Sequence, residues 1–205
     1  MRYLHVVLAL LLMLAAPAGH VSAGVPTDQL RRHVDEVIRA LEDPDLQAKP
    51  AERRAAVRKI SEGIFDYKDT ARRALGQHWN ARTPAEQAEF VGLFADLLER
   101  AYFSRIDQYQ GENVRYTAET RDGEDALVKT LIVTNRGSEV PVDYRLHLAD
   151  GRWRVHDVII EGVSLVANYR TQFNKIVQTE SYDSLVKKLR ERGAQPAASP
   201  RPAPR

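Results

Sequence analysis

Apolar residues in the first half of the chain are spaced as in helices. They recur at intervals of three and four over 30–41, 51–62 and 67–75, which predicts three helices with one apolar side each. Thr27 is the expected N-cap of the first helix. The Asp43-Pro44-Asp45 sequence ends that helix, because proline disfavours helical geometry in the residue before it.

A fourth helix has a strong start signal. Thr83-Pro84-Ala85-Glu86 combines a capping box with a proline at the first helical position. A wide apolar stripe follows, formed by Phe90, Leu93, Phe94, Leu97, Leu98, Ala101 and Tyr102. We expect this helix to lie against a large apolar surface.

After Tyr109 the period changes to two, which predicts strands over 114–118, 126–134, 140–148 and 152–160. Asp150-Gly151 is a two-residue hairpin turn. Helices are expected again over 165–179 and 182–192. Helices, then an antiparallel meander, then helices indicate one α+β domain with a curved sheet of about four strands. Helices on such a sheet enclose a cone, which is either a filled core or a pocket.

The hairpin turn also predicts a register between the last two strands. The expected pairs are Leu148 with Trp153, Leu146 with Val155, Tyr144 with Asp157, and Val142 with Ile159. Apolar residues oppose apolar ones except at Asp157. On the other face His147 and His156 would lie opposite arginines, so we expect that face to be solvated.

The two ends of the chain are expected to lie outside the domain. Residues 6–16 are apolar throughout, too few to cross a bilayer, and they follow Arg2. We interpret residues 1–23 as a signal peptide cleaved after Ala23, although an uncleaved anchor is an alternative. Residues 193–205 are rich in proline and are expected to be disordered. The domain would span 24–192.

Composition excludes several kinds of chemistry. The chain has no cysteine, so disulfides, thiol nucleophiles and iron–sulfur clusters are excluded. His33, His78, His147 and His156 show no metal-ligand spacing, and no nucleotide-binding or hydrolase motif occurs. A net charge of +2 does not favour nucleic-acid binding.

Asp157 is the one residue that could carry catalysis. On the predicted apolar face its carboxylate needs a partner, or its pKa rises. It could be an acid or base in a pocket, acting with Tyr144, or a structural group bound to a backbone N–H or an arginine. We favour the structural role because no second catalytic group is placed beside it.

Longer sequence motifs resemble a known family. They are Phe65-Asp66-Tyr67, residues 71–76 with Trp79, residues 87–102, residues 140–145, Trp153-x-Val155-x-Asp157-Val158, residues 161–166, and Asn168-Tyr169-Arg170-x-Gln172-Phe173. Together they resemble the MlaC-type periplasmic phospholipid-binding proteins, the toluene-tolerance family. The resemblance spans about residues 29–189.

This resemblance implies an NTF2-like cone with an apolar pocket, and a periplasmic phospholipid carrier without enzymatic activity, metal or cofactor. The implied partners are phospholipid, an MlaD-type component of an inner-membrane ABC transporter and an MlaA–porin-type outer-membrane complex. The implied role is maintenance of outer-membrane lipid asymmetry. Relatives that carry hopanoid lipids share these motifs, so hopanoid is an alternative cargo. An interaction module without a ligand is a third interpretation.

Large residues on the predicted apolar faces are the expected contacts for acyl chains. They are Phe94, Leu97, Leu98, Tyr102, Val142, Tyr144, Leu146, Val155, Ile159, Leu165, Tyr169 and Phe173. Arg105 and Arg170 could bind a head-group phosphate at the rim of the pocket, or form salt bridges instead.

Overall fold

A computed structural model describes residues 25–106 and 108–194, with side chains except at 103–106 and 192–194. The helices are α1 (Pro26–Glu42), α2 (Pro44–Gln47), α3 (Pro50–Ile64), α4 (Tyr67–Leu75), α5 (Pro84–Ile106), α6 (Leu165–Thr179) and α7 (Tyr182–Ala194), with a 3₁₀ turn at Gly76–His78. The strands are β1 (Asn113–Asp122), β2 (Asp125–Val133), β3 (Glu139–Ala149), β4 (Arg152–Ile160) and β5 (Val163–Ser164). The predicted signal peptide and residues 195–205 of the predicted tail lie outside the described residues, whereas Gly193 and Ala194, expected to be disordered, end helix α7.

The predicted α+β architecture is confirmed. The strands form one antiparallel sheet in the order β1-β2-β3-β4-β5. The short strand β5 and helix α2 were not predicted, because each is too short to show a repeating pattern of apolar residues. Among the described helices, none combines the length and the apolar character that a bilayer span requires.

Two predicted helix starts have different outcomes. The capping box is confirmed: Thr83 N–H donates to the Glu86 carboxylate at 2.7 Å, and Glu86 N–H donates to Thr83 Oγ1 at 3.3 Å. The Thr27 cap is wrong. Helix α1 already begins at Pro26, and the Thr27 hydroxyl donates instead to the Glu119 carboxylate of β1 at 2.6 Å.

The predicted β3–β4 register is correct next to the turn and wrong beyond it. Leu148 pairs with Trp153 and Leu146 with Val155, but a β-bulge in β4 then shifts the pairing by one residue. Arg145 therefore lies opposite Asp157, Tyr144 opposite Val158, and Val142 opposite Ile160. The predicted pairs Tyr144–Asp157 and Val142–Ile159 do not form, because an extra residue reverses which face each later side chain occupies.

Each face of the sheet is covered by different helices. The front face, which carries Val128, Leu146 and Val155, packs against Leu30 of α1 and Ile64 of α3. The back face, which carries Arg145, His147 and Asp157, meets α4 and α6. Their contacts include Thr70 Oγ1 donating to the His156 carbonyl at 3.2 Å and Val166 N–H donating to Asp157 at 3.1 Å.

On its edge away from β3, the first half of β4 has no strand beside it, since β5 pairs only with Ile159 and Ile160. Other groups satisfy its backbone. The Gln29 amide donates to the Trp153 carbonyl at 2.7 Å and accepts from Trp153 N–H at 3.1 Å, and Asp66 N–H donates to the Val155 carbonyl at 2.8 Å. The chain thus crosses this edge between α3 on the front and α4 on the back.

A second core lies among α4, α5, α6 and α7. Its centre is four aromatic rings whose neighbouring centroids are 5.2–6.0 Å apart: Phe90, Phe94, Tyr169 and Phe173. All four side chains are buried. This spacing is that of directly packed aromatic side chains, so the centre of the helical core is filled.

The back face is not solvated, contrary to expectation. His156 is buried, and the ring of His147 stacks on it with centroids 5.4 Å apart. His147 Nε2 lies 3.1 Å from Asp66 and its Nδ1 lies 3.4 Å from Asp69, both on or beside α4. Helix α4 therefore covers these histidines, and a polar cluster joins it to the sheet.

Asp157 is the centre of the contacts to α6. One carboxylate oxygen accepts from Arg145 at 3.2 Å and from the Ser164 hydroxyl at 2.6 Å, and the other accepts from Val166 N–H. The carboxylate thus accepts hydrogen bonds from the N-terminal end of α6, and its negative charge lies at the positive end of the helix dipole. This is the structural role, with a backbone N–H and an arginine as partners.

Replacement of Asp157 is predicted to destabilise the fold. Asp157→Ala leaves the buried Val166 N–H without its acceptor, and we expect the free energy of unfolding to fall by about 2–3 kcal/mol in urea denaturation. Asp122→Ala, on the exposed end of β1, is the control and should change it by less than about 0.5 kcal/mol. Equal effects of the two variants would contradict the proposed capping.

His156 is predicted to make stability depend on pH. Burial, together with the charge of Arg73, lowers its pKa to about 4. The unfolded chain, with an ordinary histidine pKa near 6.5, then binds the proton first as pH falls. Stability is therefore fully present above about pH 6.5 and declines towards pH 4, with a slope of up to about 1.4 kcal/mol per pH unit.

Urea denaturation between pH 7 and pH 4.5 tests this contribution. His156→Phe keeps a ring against His147 and should flatten the slope, whereas His78→Gln, which changes a half-buried histidine of the 3₁₀ turn, should not. An unchanged slope in His156→Phe would show that other groups cause the pH dependence.

Candidate functional site

Burial of the front-face side chains decreases along the strands. Most of them are buried near the β3–β4 turn, the closed end, and most are partly accessible at the opposite end, the open end. Near the β3–β4 turn, Leu146, Trp153 and Val155 have no exposed surface. At the opposite end of the strands Val142 is buried, but most front-face apolar side chains are only half-buried. The half-buried ones are Val114, Tyr116, Ile132, Val140, Tyr144, Val158 and Ile160. Apolar surface that remains accessible between a sheet and its helices is suited to an apolar ligand.

Helices α1 and α3 bring further apolar side chains to the front layer. Val34 of α1 packs against the front-face side chains, and Val37 and Ile60 pack with Leu41 and Val57 in a third cluster between α1 and α3. Arg58 of α3 pairs with Asp96 at 3.3 Å and Glu99 at 3.0 Å, which places the second half of α5 beside α3.

A cleft of about 430 Å³ lies beyond the C-terminal end of α1. It is lined by Leu41, Glu42, Gln47, Arg53, Tyr109, Gln110 and Gly111. Gln110 and Gly111 lead directly into β1, whose first residues lie at the open end of the front face. The cleft is therefore next to the open end and carries polar groups, including a guanidinium.

Two tyrosines place phenol hydroxyls on the front face. Burial raises the pKa of Tyr144 to about 12, and it raises the pKa of Tyr116 as well. The Tyr116 hydroxyl is buried and has no hydrogen bond to any residue that the structure describes, while Arg31 lies 4.6 Å above its ring. Both phenols therefore remain neutral at physiological pH.

The predicted acyl-chain contacts divide between the two cores. Val142, Tyr144, Leu146 and Val155 share the front face, as predicted. Phe94, Tyr169 and Phe173 belong instead to the filled helical core, with Leu97 and Leu98 packed against it.

The remaining predicted contacts lie apart from both groups. Ile159 pairs with Asp143 and so lies on the back face, because of the bulge. Leu165 is half-buried at the first position of α6, and Tyr102 is half-buried on α5.

The structure describes the side chain of only one of the two predicted rim arginines. Arg105 lies in the last turn of α5, and its side chain is outside the described part. Arg170 is exposed on α6, in a cleft of about 310 Å³ beside the 3₁₀ turn. The contact of either arginine with a head group stays a prediction.

Sequence reasoning did not identify Ile132, Val140 and Ile160 as half-buried residues at the open end. The alternation of apolar and polar residues places Ile132 and Val140 on strands, but it does not show which part of the sheet borders the open end. Ile160 was not identified because the bulge moves its side chain to the front face. The signal that could have revealed it is the pair of polar residues His156-Asp157, which interrupts the alternation where the extra residue lies.

The catalytic alternative does not fit the geometry. Asp157 and Tyr144 lie on opposite faces of the sheet, and the Asp157 carboxylate already binds Arg145, Ser164 and Val166. Within residues 25–106 and 108–194, no group of three or more histidine, aspartate or glutamate side chains could hold a metal ion.

Known proteins resemble this chain over most of its length. A solved phospholipid-binding protein from Ralstonia solanacearum, in complex with a phospholipid, superposes with a TM-score of 0.76 and 28% identity, covering 82% of this chain and 96% of that one. Toluene tolerance protein Ttg2D of Pseudomonas putida is 25% identical over 178 residues, 85% of this chain and 83% of that protein.

A third relative covers less. The intermembrane phospholipid transport system binding protein MlaC of Haemophilus influenzae is 19% identical over 129 residues, 60% of each chain. The family model described as MlaC protein matches residues 31–191, which include every described strand and nearly all of the helices. The chain therefore belongs to the MlaC family.

Proposed function

We propose that this protein is a periplasmic phospholipid carrier. The observation that carries the proposal is its similarity to a protein solved with a bound phospholipid, at 28% identity and over 82% of this chain. The open, apolar end of the front face supports the same function. No enzymatic step and no cofactor is needed, because carriage requires only that the acyl chains leave water and later return to a membrane.

The acyl chains are proposed to lie between the front face and helices α1, α3 and α5. Each methylene removed from water contributes about 0.8 kcal/mol, so two exposed chains would cost tens of kcal/mol. Val142 and Tyr144 of the predicted contacts lie in this layer, and Ile132, Val140 and Ile160 extend it. The polar cleft at the end of α1 is the proposed exit for the head group.

The family resemblance supports a proposal for the route of the lipid. We propose that residues 1–23 direct export to the periplasm, where residues 24–192 act as one lipid-binding domain. The proposed partners are an MlaD-type component of an inner-membrane ABC transporter and an MlaA–porin-type outer-membrane complex. Exchange between them would maintain the lipid asymmetry of the outer membrane.

Bound lipid should be detectable in the purified protein. Native mass spectrometry of protein prepared from the periplasm without detergent is expected to show a mass excess that organic solvent removes. The extract should contain glycerophospholipid. A hopanoid in the extract would support the alternative cargo. A bare protein mass, unchanged after incubation with phospholipid vesicles, would contradict the carrier function.

Adjacent residues on β4 test which face holds the chains. Ile160→Glu puts a charge into the proposed acyl-chain layer, and burial of an unpaired charge costs several kcal/mol. We expect the lipid content to fall at least about tenfold by phosphate assay of extracted protein. Ile159→Glu, one residue away and equally half-buried on the back face, should retain its lipid.

Both variants need the same check of folding, by circular dichroism and thermal unfolding. Loss of lipid from folded Ile159→Glu but not from Ile160→Glu would place the chains on the back face. That outcome would contradict the proposed site but not lipid binding itself.

A further inference from the structure

The cleft that contains Arg170 is built from polar side chains on two elements. Gln77 of the 3₁₀ turn and Thr171 and Asn174 of α6 line it, with Leu75 at its base. Asn174 Oδ1 accepts a hydrogen bond from Gln77 Nε2 at 2.9 Å and lies 2.9 Å from His78 Nε2. These contacts use the oxygen of the Asn174 amide and leave its N–H donors without an acceptor among the described residues.

Arg170 is held in place through its aliphatic stem. Gly76 adopts φ +57° and ψ −129°, a conformation that only glycine adopts readily. A Cβ at this position would lie 3.3 Å from Arg170 Cδ, so the stem packs directly over the glycine backbone. The guanidinium is exposed, and it has no ion pair or hydrogen bond to another residue within the part of the chain that the structure describes.

The segments around the cleft carry positive charge and no carboxylate. Residues 70–85 and 162–179 contain no aspartate or glutamate. Arg72 and Arg73 pair with Asp69, and Arg82 pairs with Glu86, whereas Arg170 and Lys175 remain unpaired among the described residues. The positive potential at the cleft is therefore not neutralised locally, which favours an anionic group.

We propose that this cleft binds a carboxylate side chain of a partner protein. The planar fork of an arginine matches the two oxygens of a carboxylate, and the free Asn174 amide hydrogens add a second donor group. A space of about 310 Å³ admits a carboxylate side chain and is too small for the acyl chains of a phospholipid. The cleft lies on α4 and α6, which cover the back face, so the sheet separates it from the proposed acyl-chain layer.

Nuclear magnetic resonance can test carboxylate binding in the intact protein. Sodium acetate, titrated into ¹⁵N-labelled protein at constant ionic strength, should shift the Arg170 Nε–H and Asn174 Nδ2–H₂ signals saturably. Arg170→Gln should abolish the shift at Asn174. Lys175→Gln, which removes the same charge from the same helix outside the cleft, should preserve it.

A short peptide of glutamates flanked by glycines tests the same site with a protein-like ligand. We expect its affinity to fall at least about fivefold in Arg170→Gln and less than twofold in Lys175→Gln. Equal losses in both variants would mean that only net charge matters, and would overturn the proposal. Saturation by inorganic phosphate but not by acetate would also overturn it, as would a response only to vesicles of anionic phospholipid.

The proposal can fail independently of lipid binding. The titrations are run on lipid-loaded and on solvent-delipidated, refolded protein, and the shifts should be the same in both. A carboxylate response only in the delipidated protein would identify the cleft as a head-group site and overturn the proposal. Absence of lipid from every preparation would contradict the carrier function and leave the acetate result as it stands.

Discussion

The β-bulge after Val155 is the constraint on which the arrangement of the two layers depends. Without the extra residue, Asp157 would face the apolar front layer, where an unpaired carboxylate costs several kcal/mol. With it, the carboxylate meets Arg145, Ser164 and the N-terminus of α6 on the back face. The same shift moves Val158 and Ile160 to the front face and so completes its apolar row. One local irregularity therefore separates the charged groups from the apolar surface.

The two faces consequently hold their helices by different interactions. On the back, α4 and α6 are joined to the sheet by directional contacts, including those of His147 with Asp66 and of Thr70 with the His156 carbonyl. On the front, α1 and α3 pack mainly through apolar side chains, with Gln29 as a polar attachment at the closed end. Apolar packing is non-directional, so the part of α1 beyond Thr27 and Gln29, whose hydrogen bonds hold its first turn to the sheet, can adjust to an acyl chain. The filled aromatic core behind them supplies a rigid support.

Local patterns in the sequence predicted most of the fold. The capping box at Thr83 and the Asp150-Gly151 turn depend on neighbouring residues alone, and both are correct. The Thr27 cap failed because a tertiary contact, with Glu119 of β1, took the hydroxyl. The predicted register also failed after Val155, because a strict period of two was continued through the consecutive polar residues His156 and Asp157, where the extra residue lies. Burial of those two side chains depends on α6, which follows the strand closely, and on α4, which is distant in sequence.

Most of the residues predicted to contact acyl chains fell into two separate cores, again because the outcome depends on tertiary packing. The apolar stripes of α5 and α6 are genuine, but a stripe shows only that a helix face is covered, not whether rings or a ligand cover it. Phe94 and Phe173 fill each other's space, whereas Tyr144 keeps accessible surface beside Ile160. This difference in burial arises from the relative position of two helices and a sheet, so it cannot be predicted from the sequence pattern of one element.

Separation of the two proposed sites by the sheet has a physical consequence for a carrier. A partner bound through a carboxylate at Arg170 contacts α4 and α6, so the open end of the front face remains accessible to a membrane or to a second surface. Docking and cargo transfer then need not compete for the same residues. An exposed ion pair is weak and weakened further by salt. Attachment of this kind would suit a carrier that dissociates after each exchange. In the proposed site, apolar contacts would retain the lipid independently of that attachment.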